Sequence, residues 1–132
     1  LLDADEARAV AAKLAEEFNV RGGRPDATAG RLSGGNLQKL VLARELFRQS
    51  RLIVAEQPTQ GLDVLSAEEV WKRLLAARKH AGVVLVTGDL AEAFALADRV
   101  AVLYKGRFMD VFDAADKDRR DKIGLLMAGV AA

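Results

Sequence analysis

The sequence predicts an α/β fold: a mostly parallel sheet with flanking helices and a C-terminal hairpin. Three observations predict it. Two short apolar runs, at 52–56 and 83–87, are separated by a helix-periodic stretch over 66–80. Strand, helix, strand in that order makes a right-handed crossover between parallel strands. Ser33-Gly34-Gly35 stands directly before a long apolar-rich helical run. Finally, apolar runs at 99–104 and 107–112 flank Lys105-Gly106, a two-residue hairpin turn, although Lys-Gly is a weaker turn signal than Asn-Gly.

Each element has a local reason. Positions 3–18 read as a helix, with Asp3 and Glu6 in capping-box spacing and Ala7, Val10, Leu14 and Phe18 as one apolar stripe. Arg21-Gly22-Gly23-Arg24-Pro25-Asp26 is a breaker-rich internal loop. The helix after Gly35 should run to about Gln49. Its Leu37, Leu40, Val41, Leu42, Ala43, Leu46 and Phe47 cover more than half the circumference, which predicts burial on several sides. The continuous apolar run at 52–56 suits a buried parallel strand, ended by Pro58.

Ser66-Ala67-Glu68-Glu69 reads as a second capping box, opening a helix to about His80 with Val70, Trp71, Leu74 and Leu75 as core. His80 then sits at the helix C-terminus, where it favours the dipole. Gly82 closes that helix. Asp89 caps a short helix through about Ala97, with Glu92 at its third position. A last helix is expected over 118–128, weakened by Gly124 and stopped by Gly129. Arg119, Arg120 and Lys122 alternate with Asp116, Asp118 and Asp121, which reads as a solvated face, while Leu125, Leu126 and Met127 read as packing residues.

The chain has 132 residues and 51% hydrophobic content, enough for one domain with a core. Its net charge of +1 gives no argument for nucleic acid or an anionic membrane as partner. It has no cysteine, which excludes disulfides and thiol chemistry and fits a reducing compartment. No apolar run approaches the roughly 20 residues of a membrane span, and no signal peptide is visible. The chain begins at Leu1 instead of methionine, as an excised piece of a longer protein would.

Glycines before a helix let the backbone approach a ligand, and the first helical amides and the dipole favour an anion, best a phosphate oxygen. The plainer alternative is that Ser33 caps the helix and the glycines end a loop. The surrounding text bears on this choice. Leu32-Ser33-Gly34-Gly35-Asn36-Leu37-Gln38-Lys39 resembles the signature motif of ABC-transporter ATPases. Downstream, Leu52-Ile53-Val54-Ala55-Glu56-Gln57-Pro58-Thr59-Gln60-Gly61-Leu62-Asp63 resembles that family's Walker B strand and D-loop. The likeness is strongest to the second cassette of sugar- and nucleoside-type importer ATPase subunits, and it spans only the later half of a cassette.

The resemblance implies the C-terminal half of a P-loop NTPase (RecA-like) fold. Positions 1–50 would be the end of the helical subdomain with the signature helix, and 51–132 the second half of the RecA-like core. It also implies a site on this chain that is degenerate for ATP cleavage. No G-x-x-x-x-G-K-[S/T] motif is present, so the Walker A part is missing. Glu56 stands where the family has a metal-binding aspartate, and its extra methylene alters that geometry toward Mg2+. Gln57 stands at the catalytic glutamate. An amide can hold a water but cannot take its proton, so Gln57 reads equally as a strand-end residue and as an ATP contact. Gly88 stands at the switch histidine, has no side chain to reach a phosphate, and reads best as a strand-to-helix turn.

The signature itself is kept. In the family it acts in trans on ATP held by another cassette. Ser33 would donate its hydroxyl to the γ-phosphate, with the Gly34 and Gly35 amides and the helix start at Asn36 completing the contact. Asp63 matches the D-loop aspartate, a role that can coexist with a local cap. The implied cofactors are ATP and Mg2+ in an assembled transporter. The implied partners are another ATP-binding cassette and transmembrane permease subunits, at the cytoplasmic face of a membrane. The alternatives are a non-nucleotide α/β interaction module, or a slow ATPase only within a full-length parent.

In the family, the Walker A strand lies between the strands at 83–87 and 99–104. Without it, apolar edges are left to pair directly or to meet another polypeptide. The isolated chain is therefore expected to be marginally stable and to self-associate. Sedimentation across a concentration series should show association; a sharp, high-temperature, monomeric unfolding transition would contradict this.

Overall fold

Asp3 opens the first helix, α1 (Ala4–Glu17), with its side chain accepting from the amides of Asp5 and Glu6. Such a cap contributes about 1 kcal/mol. The architecture is that of a computed structural model, which describes residues 3–130. A loop and a short 3-10 turn (Ala29–Arg31) lead to α2 (Gly34–Phe47). Then follow β1 (Leu52–Glu56), α3 (Val64–Ala77), β2 (Gly82–Val86), α4 (Leu90–Leu96), β3 (Arg99–Tyr104), β4 (Arg107–Asp113), α5 (Lys117–Asp121) and α6 (Ile123–Met127). Among the described residues no helix is long and apolar enough to cross a membrane.

The chain divides into two compact units, one up to Val86 and one from Thr87 onward. In the first, β1 and β2 pair in parallel, with Val54 beside Val84 and Glu56 beside Val86. The ladder continues where the Gln57 amide donates to the Val86 carbonyl at 2.8 Å. Phe18, Val20 and Ala43 form a core between α1 and α2, with Leu14, Leu40 and Leu46 packed on it. The Arg73 guanidinium lies 4.2 Å from the Phe18 ring centroid and also pairs with Glu17.

In the second unit, β3 and β4 form an antiparallel hairpin, with a register irregularity between Val102 and Leu103. Both turn residues have positive φ, Lys105 at 45° and Gly106 at 76°, which matches the twist of tight hairpins. Val100, Val102, Phe112, Ile123 and Leu126 are its core, with Phe94 of α4 against them. Asp89 caps α4 as expected, accepting from Ala91 and Glu92.

Several expectations are corrected. The helix α2 is not buried on several sides: Ala43 alone is fully buried, while Leu37, Val41 and Phe47 remain exposed. It packs on α1 and α3. β1 is parallel but covered on one face only, leaving Leu52 60% and Val54 65% exposed. Val84 and Val86 are exposed on the same face of this sheet. Among the described residues the strands form two two-stranded sheets, β1 with β2 and β3 with β4.

The helix α3 begins at Val64 with Asp63 as its cap, so Ser66 lies inside the first turn and does not cap it. His80 falls beyond that helix, in an exposed turn. The expected C-terminal helix is two short ones, α5 and α6, broken at Lys122, just before the weak helix former Gly124. Its charges are not all solvated: Arg119 pairs with Asp110, and Arg120 lies 4.2 Å from the Phe94 ring centroid. Of the three residues expected to pack there, Leu126 is buried, whereas Leu125 and Met127 are exposed.

The end of the second unit rests on Gly129, which has φ 81° and whose added Cβ would overlap the Tyr104 ring. Gly129→Ala should lower stability by about 1–3 kcal/mol, through overpacking and strain. Gly106→Ala meets open space and adds only left-handed strain, about 1–2 kcal/mol. Denaturant unfolding of the two variants should rank them in that order.

Candidate functional site

The first turn of α2 is built by its sequence to stay open. Ser33 takes the N-cap backbone conformation, φ −62° and ψ 156°, and its carbonyl accepts the first helical bond from Leu37 at 2.8 Å. Its hydroxyl makes no cap bond to the helical amides, so Ser33 is the N-cap through its backbone alone. The amides of Gly34, Gly35 and Asn36 thus precede the first intrahelical bond and are left for another acceptor. Gly34 has open space where a side chain would stand. A Cβ on Gly35 would lie 3.6 Å from Leu62, an ordinary van der Waals contact, so the helix start lies beside the turn that follows β1.

Further contacts hold that arrangement. The Gln38 side chain donates to the Pro58 carbonyl at 2.8 Å, tying α2 to the same turn. Lys39 pairs with Glu69 of α3 at 2.8 Å, with side chains only 12% and 29% exposed. The turn itself is tight: the amides of Gln60 and Leu62 donate to the carbonyls of Gln57 and Thr59, and Gly61 has φ 74°.

Asp63 closes this turn and opens α3. Its carboxylate accepts from the Ser66 amide at 3.0 Å and from the Ser66 hydroxyl at 2.8 Å. Those two bonds, the backbone one first, hold its carboxyl below the usual aspartate value. Asp63 is thus engaged as a local cap in this structure.

Glu56 ends β1 and is exposed. Gln57 follows with a left-handed backbone, φ 46°, and an exposed side chain. Among the described residues no group of three or more His, Cys, Asp or Glu side chains could hold a metal. Gly88 lies in a bend between β2 and α4 in the second unit. A groove of about 940 Å³ runs between α1 and α2, lined mostly by apolar side chains such as Val10, Leu14, Leu37 and Phe47.

The structure therefore brings the open α2 turn, the turn after β1 and the α3 cap together in one unit. Sequence reading missed Arg21, whose backbone amide donates to Asn36 Oδ1 at 2.8 Å. No residue type signals a contact made by main chain. It also missed Gln38 and Lys39 as braces; their positions beside the signature were visible, but their partners lie far along the chain.

No protein-family model matches the chain. Among curated proteins it is 49% identical over 131 residues to the glucose import ATP-binding protein TsgD13 of Haloferax volcanii, across 97% of this chain and 24% of that protein. It is 39% identical over 129 residues to the nucleoside import ATP-binding protein NupA of Lactococcus lactis, across 97% of this chain and 25% of that protein. The chain thus spans about a quarter of the length of the curated relatives it matches. Among solved structures, an ATP-binding subunit of an ABC transporter superposes with TM-score 0.72 at 25% identity, covering 98% of this chain and 52% of that one. A dimeric post-hydrolysis structure of the ATP-binding cassette MJ0796, bound to ADP and Pi, superposes with TM-score 0.74 at 26% identity. It covers 86% of this chain and 50% of that one.

The Asp63 geometry fixes a pH dependence. A carboxyl whose folded value is depressed adds stability above the unfolded value, about 3.9, and that stability is lost as pH falls through the folded value. A carbon-detected NMR titration of Asp63 should give a midpoint below that of an unstructured aspartate. Asp63→Asn should destabilise the chain near neutral pH and flatten its stability profile in acid.

Proposed function

Because this chain corresponds to the C-terminal half of an ABC-transporter ATP-binding cassette, we propose that it is part of the ATP-binding subunit of a sugar or nucleoside importer. Its role is to complete an ATP site seated on a partner cassette. Ser33 donates its hydroxyl to the γ-phosphate, and the amides of Gly34, Gly35 and Asn36 add donors at the positive end of α2. The observation that carries this reading is the uncapped first turn: a serine at the N-cap whose hydroxyl leaves the helical amides alone.

The same proposal holds that the chain's own site is degenerate. Gln57 cannot serve as a general base, a loss of roughly 10²–10⁴-fold in rate. Glu56 is one methylene longer than the aspartate of the resemblance, which fits a reading in which Mg2+ is held with the partner's nucleotide. Asp63 faces the cassette interface through the turn it closes. The partners are a second ATP-binding cassette and the importer's membrane permease, which would hold the protein at the cytoplasmic face of the membrane.

The test is to titrate the chain into an ATP-loaded ABC cassette that carries its own Walker A loop and to follow release of a fluorescent ATP analogue. Release should slow by about tenfold or more, the worth of hydrogen bonds to a charged oxygen. Ser33→Arg should abolish the effect, and the chain alone should not hydrolyse ATP. No change in release at any concentration would favour an interaction module that kept only the scaffold.

A further inference from the structure

The resemblance counts Asn36 among the groups that complete the nucleotide contact, but its side chain is committed elsewhere. Its Oδ1 accepts from the Arg21 backbone amide at 2.8 Å, and its Nδ2 donates to the Ser33 hydroxyl oxygen at 2.8 Å. The direction of these bonds follows from the groups themselves. A backbone N–H can only donate, so the atom of Asn36 facing Arg21 is the oxygen, and the nitrogen faces Ser33. A side-chain NH2 cannot accept, so Ser33 Oγ is the acceptor and its single proton points away from Asn36. The root of the arrangement is firm. Val20, the residue before Arg21, is buried with Phe18 and Ala43, and its amide donates to the Ala15 carbonyl at 2.8 Å.

We propose that Asn36 is a positioning residue, the middle of a one-way relay from the Arg21 amide to the Ser33 hydroxyl that fixes Ser33 as a donor toward a terminal phosphate. This rests on the functional reading above and deepens it. Consecutive hydrogen bonds polarise one another, so the outermost donor is strengthened as well as aimed. The helical amides and the Ser33 hydroxyl then present donors to one point. Asn36 itself contributes its backbone amide and no side-chain contact.

Two measurements decide it. In the free chain, the Asn36 Nδ2 proton that faces Ser33 Oγ should be shifted downfield of the usual side-chain amide position by NMR and slow to exchange. Ser33→Ala should remove that downfield shift and protection; insensitivity of both to Ser33→Ala would overturn the relay, whatever the partner does. In the ATP-release assay, Asn36→Asp keeps an acceptor for Arg21 but also accepts the Ser33 proton, turning it inward. It should cost about 10- to 100-fold of the chain's effect, as for a hydrogen bond to a charged group. Asn36→Ala frees the hydroxyl to rotate and should cost less.

A purely structural brace gives the opposite ranking, because the aspartate keeps the Arg21 bond. Simple repulsion between carboxylate and phosphate is separated by the cycle with Ser33→Ala. The relay predicts that the Asn36→Asp penalty shrinks in that background, and repulsion predicts that it persists. If the NMR signature is present but the unmodified chain leaves ATP release unchanged, the functional reading falls. If the signature is absent while the unmodified chain slows release, this inference falls.

Discussion

The placement of α2 on the turn after β1 is the constraint from which the first unit follows. Lys39 and Glu69 meet at 2.8 Å with little solvent around them, and Gln38 reaches the Pro58 carbonyl at the same distance. A half-buried ion pair is less screened than a surface one, and either partner left alone would be a desolvated charge. The pair and the amide bond act on adjacent residues, so together they fix both the rotation and the height of the helix. With α2 held, its start at Gly35 lies beside Leu62, and the open turn at Ser33 is presented at a defined place. The exposed pair Arg8–Asp5, by contrast, positions nothing of this kind.

The two halves of the proposed chemistry differ in what they ask of side chains. Donating to a phosphate oxygen needs main-chain amides and a hydroxyl, and these survive almost any change in neighbouring side chains. Cleaving a phosphate bond needs a base and metal ligands at defined lengths. At 56, 57 and 88 the chain has a carboxylate one methylene longer, an amide and no side chain at all. A surface can therefore lose the second ability and keep the first.

Much of the fold was legible because its signals are local. Asp3 and Asp89 announced their helices through side chains that bond amides two and three residues on. The apolar run at 52–56 matched its strand, and Lys105-Gly106 matched its turn. The errors came where local signals compete. Ser66 had capping spacing, but Asp63, a stronger acceptor, took the cap three residues earlier and bound Ser66 itself. Burial was the least legible property. Apolar content at Leu52, Val54 and Val84 records what a surface can pack against, and these side chains have no cover among the described residues. The site was legible in its residue types and opaque in its geometry, since nothing in Arg21 foretells a main-chain bond to Asn36.

The open turn of α2 also bounds what it can recognise. Main-chain amides and one serine hydroxyl are all donors, and all are short. On the proposed reading they would register the oxygens at the tail of a nucleotide and nothing about its ring system. Telling adenine from guanine must then fall to whatever surface grips the opposite end of the molecule, and this chain would accept either triphosphate with equal readiness.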